Sequence, residues 1–473
     1  MIARGLAVAA ALILASCATT GDSTASSSGS NGTSAQRTAS SAFDPDPYPS
    51  TYQRYPGVPT VIRGATIYDG EGGRIDNGMI SFADGEIVEV GQTVAIPEGA
   101  TVIDGQGLWV TPGVIDIHSH LGVYASPSVD ATSDGNEAIN PNTANVWAEH
   151  SVWPQDPGFS RALANGGVTT LNILPGSANL FGGRSVTLRN VPARTMQAMK
   201  MPGAPYGLKM ACGENPKRVY GSRNQTPASR MANIAVARQD WIDAQRYQRR
   251  WQEYRDYGGT RPERDLMLET LAGVMAGDIL VHNHCYRADE MANMIDMSQE
   301  FGYRISTFHH AVEAYKVADL LREEDICAAM WADWWGFKME AYDTVFENIP
   351  MVHNASACAI VHSDDENGIQ RLNQEAAKAL ADGRRAGLTI ADEVAWQWLS
   401  INPARAMGIA DQTGSLVAGK RADVVLWNGD PLSVYTRPQM VWVDGALLYD
   451  MNNPRLRPVS DFELGQPGEG TTR

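Results

Sequence analysis

The chain has 473 residues, 43% hydrophobic and 19% charged, which excludes a disordered chain and leaves room for one large domain and a smaller one. Its formal net charge of −16 excludes the basic footprint that phosphate-backbone binding requires, so no nucleic-acid partner is expected.

The chain begins "MIARGLAVAAALILASC": an early arginine, an apolar run too short to span a bilayer, and small residues before Cys17. That pattern is a secretory signal. "LASC" also resembles the lipobox of bacterial lipoproteins, which implies lipidation at Cys17. Ala18 after the cysteine, rather than Asp, is similar to lipoproteins sent to the outer membrane. The expectation is an exported, periplasm-facing protein whose only membrane contact is a lipid anchor. Residues 18–56 are largely rich in Ser, Thr and Gly and read as a flexible tether.

Residues 57–110 hold short β-type runs between glycine-rich turns, as in "TVIRGATIYDGEGG" and "GMISFADGEIVEVG". The same texture returns over 409–456, in "ADVVLWNGD" and "PQMVWVDGALLYD", before a tail at 457–473. The two segments are expected to form one small β-sandwich from both ends of the chain. Between them, over 111–408, strand-like runs alternate with amphipathic stretches, which predicts a parallel α/β fold with the length of a (β/α)8 barrel. The run "RSVTLRN" marks its strand poorly. Residues 223–277 are longer than one barrel helix needs and predict an inserted helical excursion. Cys212, Cys285, Cys327 and Cys358 lack zinc-ribbon spacing. An oxidising compartment permits disulfides, but their scatter through apolar segments points to buried free thiols.

Strands of a parallel barrel are buried on both faces and should read as apolar runs. Four of them instead end in polar groups: His118 and His120, His282 and His284, His309 and His310, and His362 with Asp364. Seven of the nine histidines therefore stand where such barrels carry their active sites. Imidazole nitrogen with a carboxylate suits zinc or another first-row divalent metal, one or two per chain. Two residues of "YGLKMACGENPKRVYG" are candidates to bridge two metals. Lys209 lies inside an apolar strand and would serve as a CO2-derived carbamate; Glu214, just past the strand end, would serve unmodified. The aromatic run "MWADWWGFKMEAY" could wall a substrate pocket, with Lys338 or Tyr342 on polar groups. The glycines of "SANLFGGRS" lack the spacing of a phosphate loop, so no nucleotide cofactor is expected. His150 and His353 read as surface or loop histidines.

From residue 57 onward the chain resembles the amidohydrolase superfamily, in particular its imidazolonepropionase-like branch with the Xaa-Pro dipeptidases. "GLWVTPGVIDIHSHL" is similar to that family's first barrel strand with its His-x-His pair. "NPARAMGIADQTGSLVAGKRADVVLWNGDP" is similar to its return to the β domain. The resemblance implies metal ligands at His118, His120, His284, His310 and Asp364, with Asp365 as runner-up for the last. Asp364 would act as general base then acid, and His284 or a second metal would polarise the substrate carbonyl. His309 would face the helices, on the side of the strand opposite His310. His282 and His362 would orient ligands or pack the interior. Dipeptidase relatives carry a carboxylated lysine where Lys209 stands, whereas deacetylases of the superfamily use a glutamate. "GENP" presents Glu214 at the strand mouth and tips the balance toward it.

The expected activity is hydrolysis of an amide or related C–N bond in a small molecule: a dipeptide, an N-acyl amino acid or a cyclic amide. The alternatives are a mononuclear deaminase on the same scaffold, and a non-catalytic metal- or solute-binding lipoprotein. Homo-oligomerisation is left open.

Overall fold

The structure is a computed structural model and describes residues 44–334 and 336–458. Cys17, with the signal and lipobox reading, lies outside the described residues. Among the described residues no helix is long and apolar enough to cross a membrane.

The N-terminal strands are β1 (Thr60–Tyr68), β2 (Arg74–Ala83), β3 (Glu86–Gly91), β4 (Thr101–Asp104) and β5 (Trp109–Pro112). They share one eight-stranded sheet with the C-terminal strands β14 (Val424–Trp427), β15 (Pro438–Val443) and β16 (Ala446–Asp450), joined where β14 pairs antiparallel with β5. Ile62, Ile67, Phe82, Val110, Val424, Leu426 and Trp442 form its own apolar cluster.

The second sheet runs in chain order: β6 (Val114–Ser119), β7 (Val168–Ile173), β8 (Phe181–Arg189), β9 (Tyr206–Ala211), β10 (Ile279–Cys285), β11 (Ile305–His310), β12 (Cys327–Met330) and β13 (Ala359–Val361). It is an α/β barrel. Its ends are joined by the Asp364 amide donating to His118 O (3.0 Å), and by Ser363 N and Oγ donating to the buried Asp116 carboxylate. One strand departs from the parallel expectation: β8 is antiparallel to both β7 and β9. Only residues 174–180 separate β7 from β8, and a loop that short can return the chain antiparallel but cannot carry a crossover helix.

Between β9 and β10 stand α2 (Glu214–Gly221), α3 (Arg230–Tyr257) and α4 (Leu266–Ala276), preceded in the chain by α1 (Pro157–Gly166). The excursion is a 28-residue helix packed on α4. Asp265 caps α4 by accepting from the amides of Met267 and Leu268. Later barrel helices include α5 (Ala288–Phe301), α6 (Ala318–Glu323), α7 (Asn348–Asn354) and α8 (Leu372–Arg385).

The cysteines are paired, against the expectation of free thiols: Cys212 with Cys285, and Cys327 with Cys358. Cys212 stands one residue past β9 and Cys358 one residue before β13, each in line with its partner on the neighbouring parallel strand, so the ladder itself brings the sulfurs together. Residues 44–56, counted above in the tether, are docked on the barrel. Lys200 Nζ, buried, donates to Asp46 Oδ1 (2.6 Å) and to Tyr48 O (2.8 Å), and Tyr52 OH donates to Asp444.

Arg189, fully buried at the end of β8, links the two sheets. Its guanidinium forks onto Asp423, donates to Thr170 Oγ1 (2.6 Å), and lies 3.5 Å from Asp444, which Arg421 also reaches at 2.9 Å. Burial alone would raise the Asp444 carboxyl, but Arg189 and Arg421 hold it below its usual value. Removing one partner leaves a buried charge short of its counterion, so Asp444→Asn should cost about 3 kcal/mol near neutral pH. Because the native state holds Asp444 ionised more tightly than the unfolded chain does, this stabilisation is present above the unfolded carboxylate value of about 3.9 and is lost as pH falls below it. Urea unfolding at pH 7 and pH 3.5 should therefore show a gap between wild type and variant that narrows in acid. A gap that widens would refute the account.

Candidate metal centre

The C-terminal ends of β6, β10, β11 and β13 bring their polar residues to one place. His118 Nε2 lies 3.2 Å from Asp364 Oδ1 and 3.3 Å from His120 Nε2, and His120 Nε2 lies 3.0 Å from the same carboxylate oxygen. His120 Nδ1 stands 2.8 Å from Leu174 O, which can only accept, so Nδ1 carries a proton and Nε2 is the nitrogen turned toward Asp364. Two ring nitrogens and a carboxylate oxygen thus crowd one point. The edge of a tetrahedron about a metal with 2.0–2.1 Å bonds is about 3.3 Å. The donor set fits such an ion.

A second trio, His118, His310 and His362, has ligand atoms within 4.8 Å of one another. His310 Nδ1 is 3.8 Å from Asp364 Oδ2, and its ring stacks on Trp331 at 4.3 Å between centroids. The buried Nδ1 atoms of His284, His310 and His362 have no hydrogen-bond partner among the described residues. Burial pushes the imidazoles of His118, His284, His309 and His310 well below their ordinary value and that of His362 to about 4, so all are neutral donors at pH 7. Asp364 is an anion: burial opposes its charge, but His310 and His120 beside it hold the carboxyl well below the usual range. Its φ of +54° and that of His310, +70°, lie in the left-handed region, a strain that clusters at functional sites.

The two bridge candidates separate. Lys209 is buried inside the barrel on β9, its Nζ donating to Pro175 O (3.0 Å); burial pulls it down to about 8 against the opposing charge of Asp364. Glu214 opens α2, 3.7 Å from Lys338 Nζ, and takes no part in either trio. Its backbone amide donates to Glu340 Oε2 (2.9 Å), which fixes it at the helix start.

His309 also departs from expectation. It faces the barrel interior, its Nδ1 2.8 Å from His118 Nδ1 and its Nε2 3.0 Å from His282 Nδ1. The positive φ of His310 ends the strand's alternation, so both neighbours turn toward the centre. Other groups were not singled out from sequence. Asp116, pushed up to about 7 by burial, accepts from the His118 and Ser363 amides. Asn215 lies 3.3 Å from His284 Nε2 and accepts from Lys338 Nζ (2.9 Å).

Beside Asp364 opens a cavity of about 480 Å³ lined by Tyr286, Trp331, Asp333, Trp334, Phe337 and Asp364. The aromatic run does wall it. Lys338 Nζ sits 4.1 Å from the Tyr286 ring centre, whereas Tyr342 is mostly exposed. His353 lies on α7 against Trp398, whose indole N–H points at its Nδ1 (3.3 Å).

A barrel whose rim gathers imidazoles and one carboxylate, with a second sheet built from both chain ends, has the architecture of a metal-dependent hydrolase. The amidohydrolase family pattern matches residues 109–448, and the chain belongs to that family. It is 31% identical over 449 residues to amidohydrolase tasK of Hapsidospora irregularis, covering 86% of this chain and 45% of that protein. This chain therefore spans less than half of that relative. The crystal structure of an amidohydrolase from Thermotoga maritima MSB8 superposes with a TM-score of 0.77 at 31% identity, covering 83% of this chain and all of that one. A prolidase complexed with N-methylphosphonate-L-proline shares the fold alone, with a TM-score of 0.51 at 17% identity, covering 82% and 99%.

Proposed function

We propose that the chain is a metal-dependent hydrolase of amide or related C–N bonds in small molecules such as dipeptides, N-acyl amino acids or cyclic amides, exported and lipid-anchored through Cys17. The convergence of His118 Nε2, His120 Nε2 and Asp364 Oδ1 within 3.0–3.3 Å carries this conclusion. His118, His120 and Asp364 would hold one ion; His284 and His310, with Lys209 as bridge, would hold a second. When bound, a divalent metal brings the pKa of water toward ~7 and polarises a carbonyl.

The protein's own groups do the rest. Asp364 Oδ1 faces the imidazoles and Oδ2 faces the His310 side, so the carboxylate can take a proton from water and return it to the leaving nitrogen. The aromatic walls of the adjoining cavity exclude water and seat an apolar substrate group. Lys209 supports the bridging role because burial makes its neutral amine accessible near pH 8, and only the neutral amine adds CO2.

Metal content per chain tests the proposal. Two equivalents are expected in the wild type, falling in Lys209→Ala and unchanged in Glu214→Ala. One equivalent, indifferent to both changes, would favour a mononuclear deaminase, and no metal would overturn the proposal.

A further inference from the structure

We propose that His309 and His282 are positioning residues that fix the proton of His118 on Nδ1 and so keep its Nε2 free for a metal; this rests on the metal-site reading above. Three fully enclosed rings form a column, His118, His309 and His282, with ring nitrogens 2.8 Å apart at the first junction and 3.0 Å at the second. Each junction needs one donor and one acceptor. Both nitrogens of His309 are committed, so its single proton can serve only one of them.

Two proton orders satisfy the column. In the first, His118 Nδ1–H donates to His309 Nδ1, His309 Nε2–H donates to His282 Nδ1, and the last proton sits on His282 Nε2. In the second, every proton is shifted toward His118, whose Nε2 then carries a hydrogen aimed at Asp364 Oδ1 and His120 Nε2 and is closed to a metal. At the far end of the column, a Cβ on Gly207 would lie 3.1 Å from His282 Nε2 and 2.4 Å from Ser185 Oγ, a buried hydroxyl without a hydrogen-bond partner among the described residues. A metal at His118 therefore selects one tautomer in three rings at once, and the column in turn aims His118. Histidine ligands in metal sites commonly donate their second nitrogen to a carboxylate or carbonyl. Here an imidazole pair takes that place.

The test uses full-length protein, zinc and a competing chelator, with long-range ¹⁵N–¹H spectra of histidine-labelled protein. In the zinc-loaded wild type, His309 and His282 should both be protonated on Nε2. His309→Leu should lose 10- to 100-fold in zinc affinity. His309→Gln, whose carbonyl can accept from His118, should recover most of it. A His309 protonated on Nδ1 in loaded protein, or a folded His309→Leu that binds zinc like the wild type, would overturn the assignment. The spectra need no substitution, so a variant that fails to fold does not shelter it. A wild type that takes no zinc would overturn this proposal and the hydrolase reading together. A loaded wild type with an indifferent column would overturn only the former.

Discussion

Asp364→Asn is expected to retain metal and fold while losing turnover by a factor of about 10³ or more. Asp364 stands at φ +54°, a region that asparagine also tolerates, whereas alanine there would add backbone strain to the loss of the carboxylate. Asparagine keeps an oxygen to face His118 and His120, and its backbone amide still donates to His118 O. It cannot accept and return a proton. General acid–base catalysis is worth 10²- to 10⁴-fold, and one residue serves both steps in the proposed reaction. Measuring kcat beside metal content and melting temperature separates the chemical loss from a structural one. Near-normal turnover with metal present would remove Asp364 from the proton path.

Much of this site was legible because a parallel barrel leaves little room for polar residues inside it. Histidines and an aspartate at the ends of "GVIDIHSH", "DILVHNHC", "YRISTFHH" and "CAIVHSDD" stood out against buried apolar runs, and the fold then carried them to one rim. Alternation along a strand, the rule used to orient them, fails where the backbone leaves extended geometry. That is why His309, read as facing the helices, belongs to the interior: its neighbour His310 has φ +70°. Glu214 follows β9 closely, and helix α2 starts on it beside Lys338. The direction of β8 was hidden because hydrophobic pattern records burial, not strand direction. The disulfides had a signal that scattered spacing obscured. Cys212 and Cys285 continue the β9–β10 register that pairs Ala211 with His284, and Cys327 and Cys358 precede the β12–β13 register that starts at Ala328 with Ala359. Strand-by-strand alignment would have paired them; counting residues between them could not.

That pairing leads to the second large expected effect. Replacing Cys212 and Cys285 together by serine should destabilise the protein by roughly 4 kcal/mol, because the bridge closes a 73-residue loop and the chain-entropy cost of opening it grows with the logarithm of that length. The loop holds the whole α2–α4 excursion, and the bridge ties both its ends at the barrel mouth. Cys285 follows His284, and the Cys212 amide donates to His284 O at 2.9 Å. Loosening it should therefore also weaken zinc binding. The Cys327–Cys358 bridge closes a 31-residue loop between β12 and β13, away from the His284 backbone. Its double serine variant should lose slightly less stability and keep its zinc affinity. Urea midpoints with chelator competition on both variants distinguish the roles. Equal zinc affinity in the two would confine the Cys212–Cys285 bridge to stability. An unchanged urea midpoint would show that the long loop is already ordered before the bridge closes it.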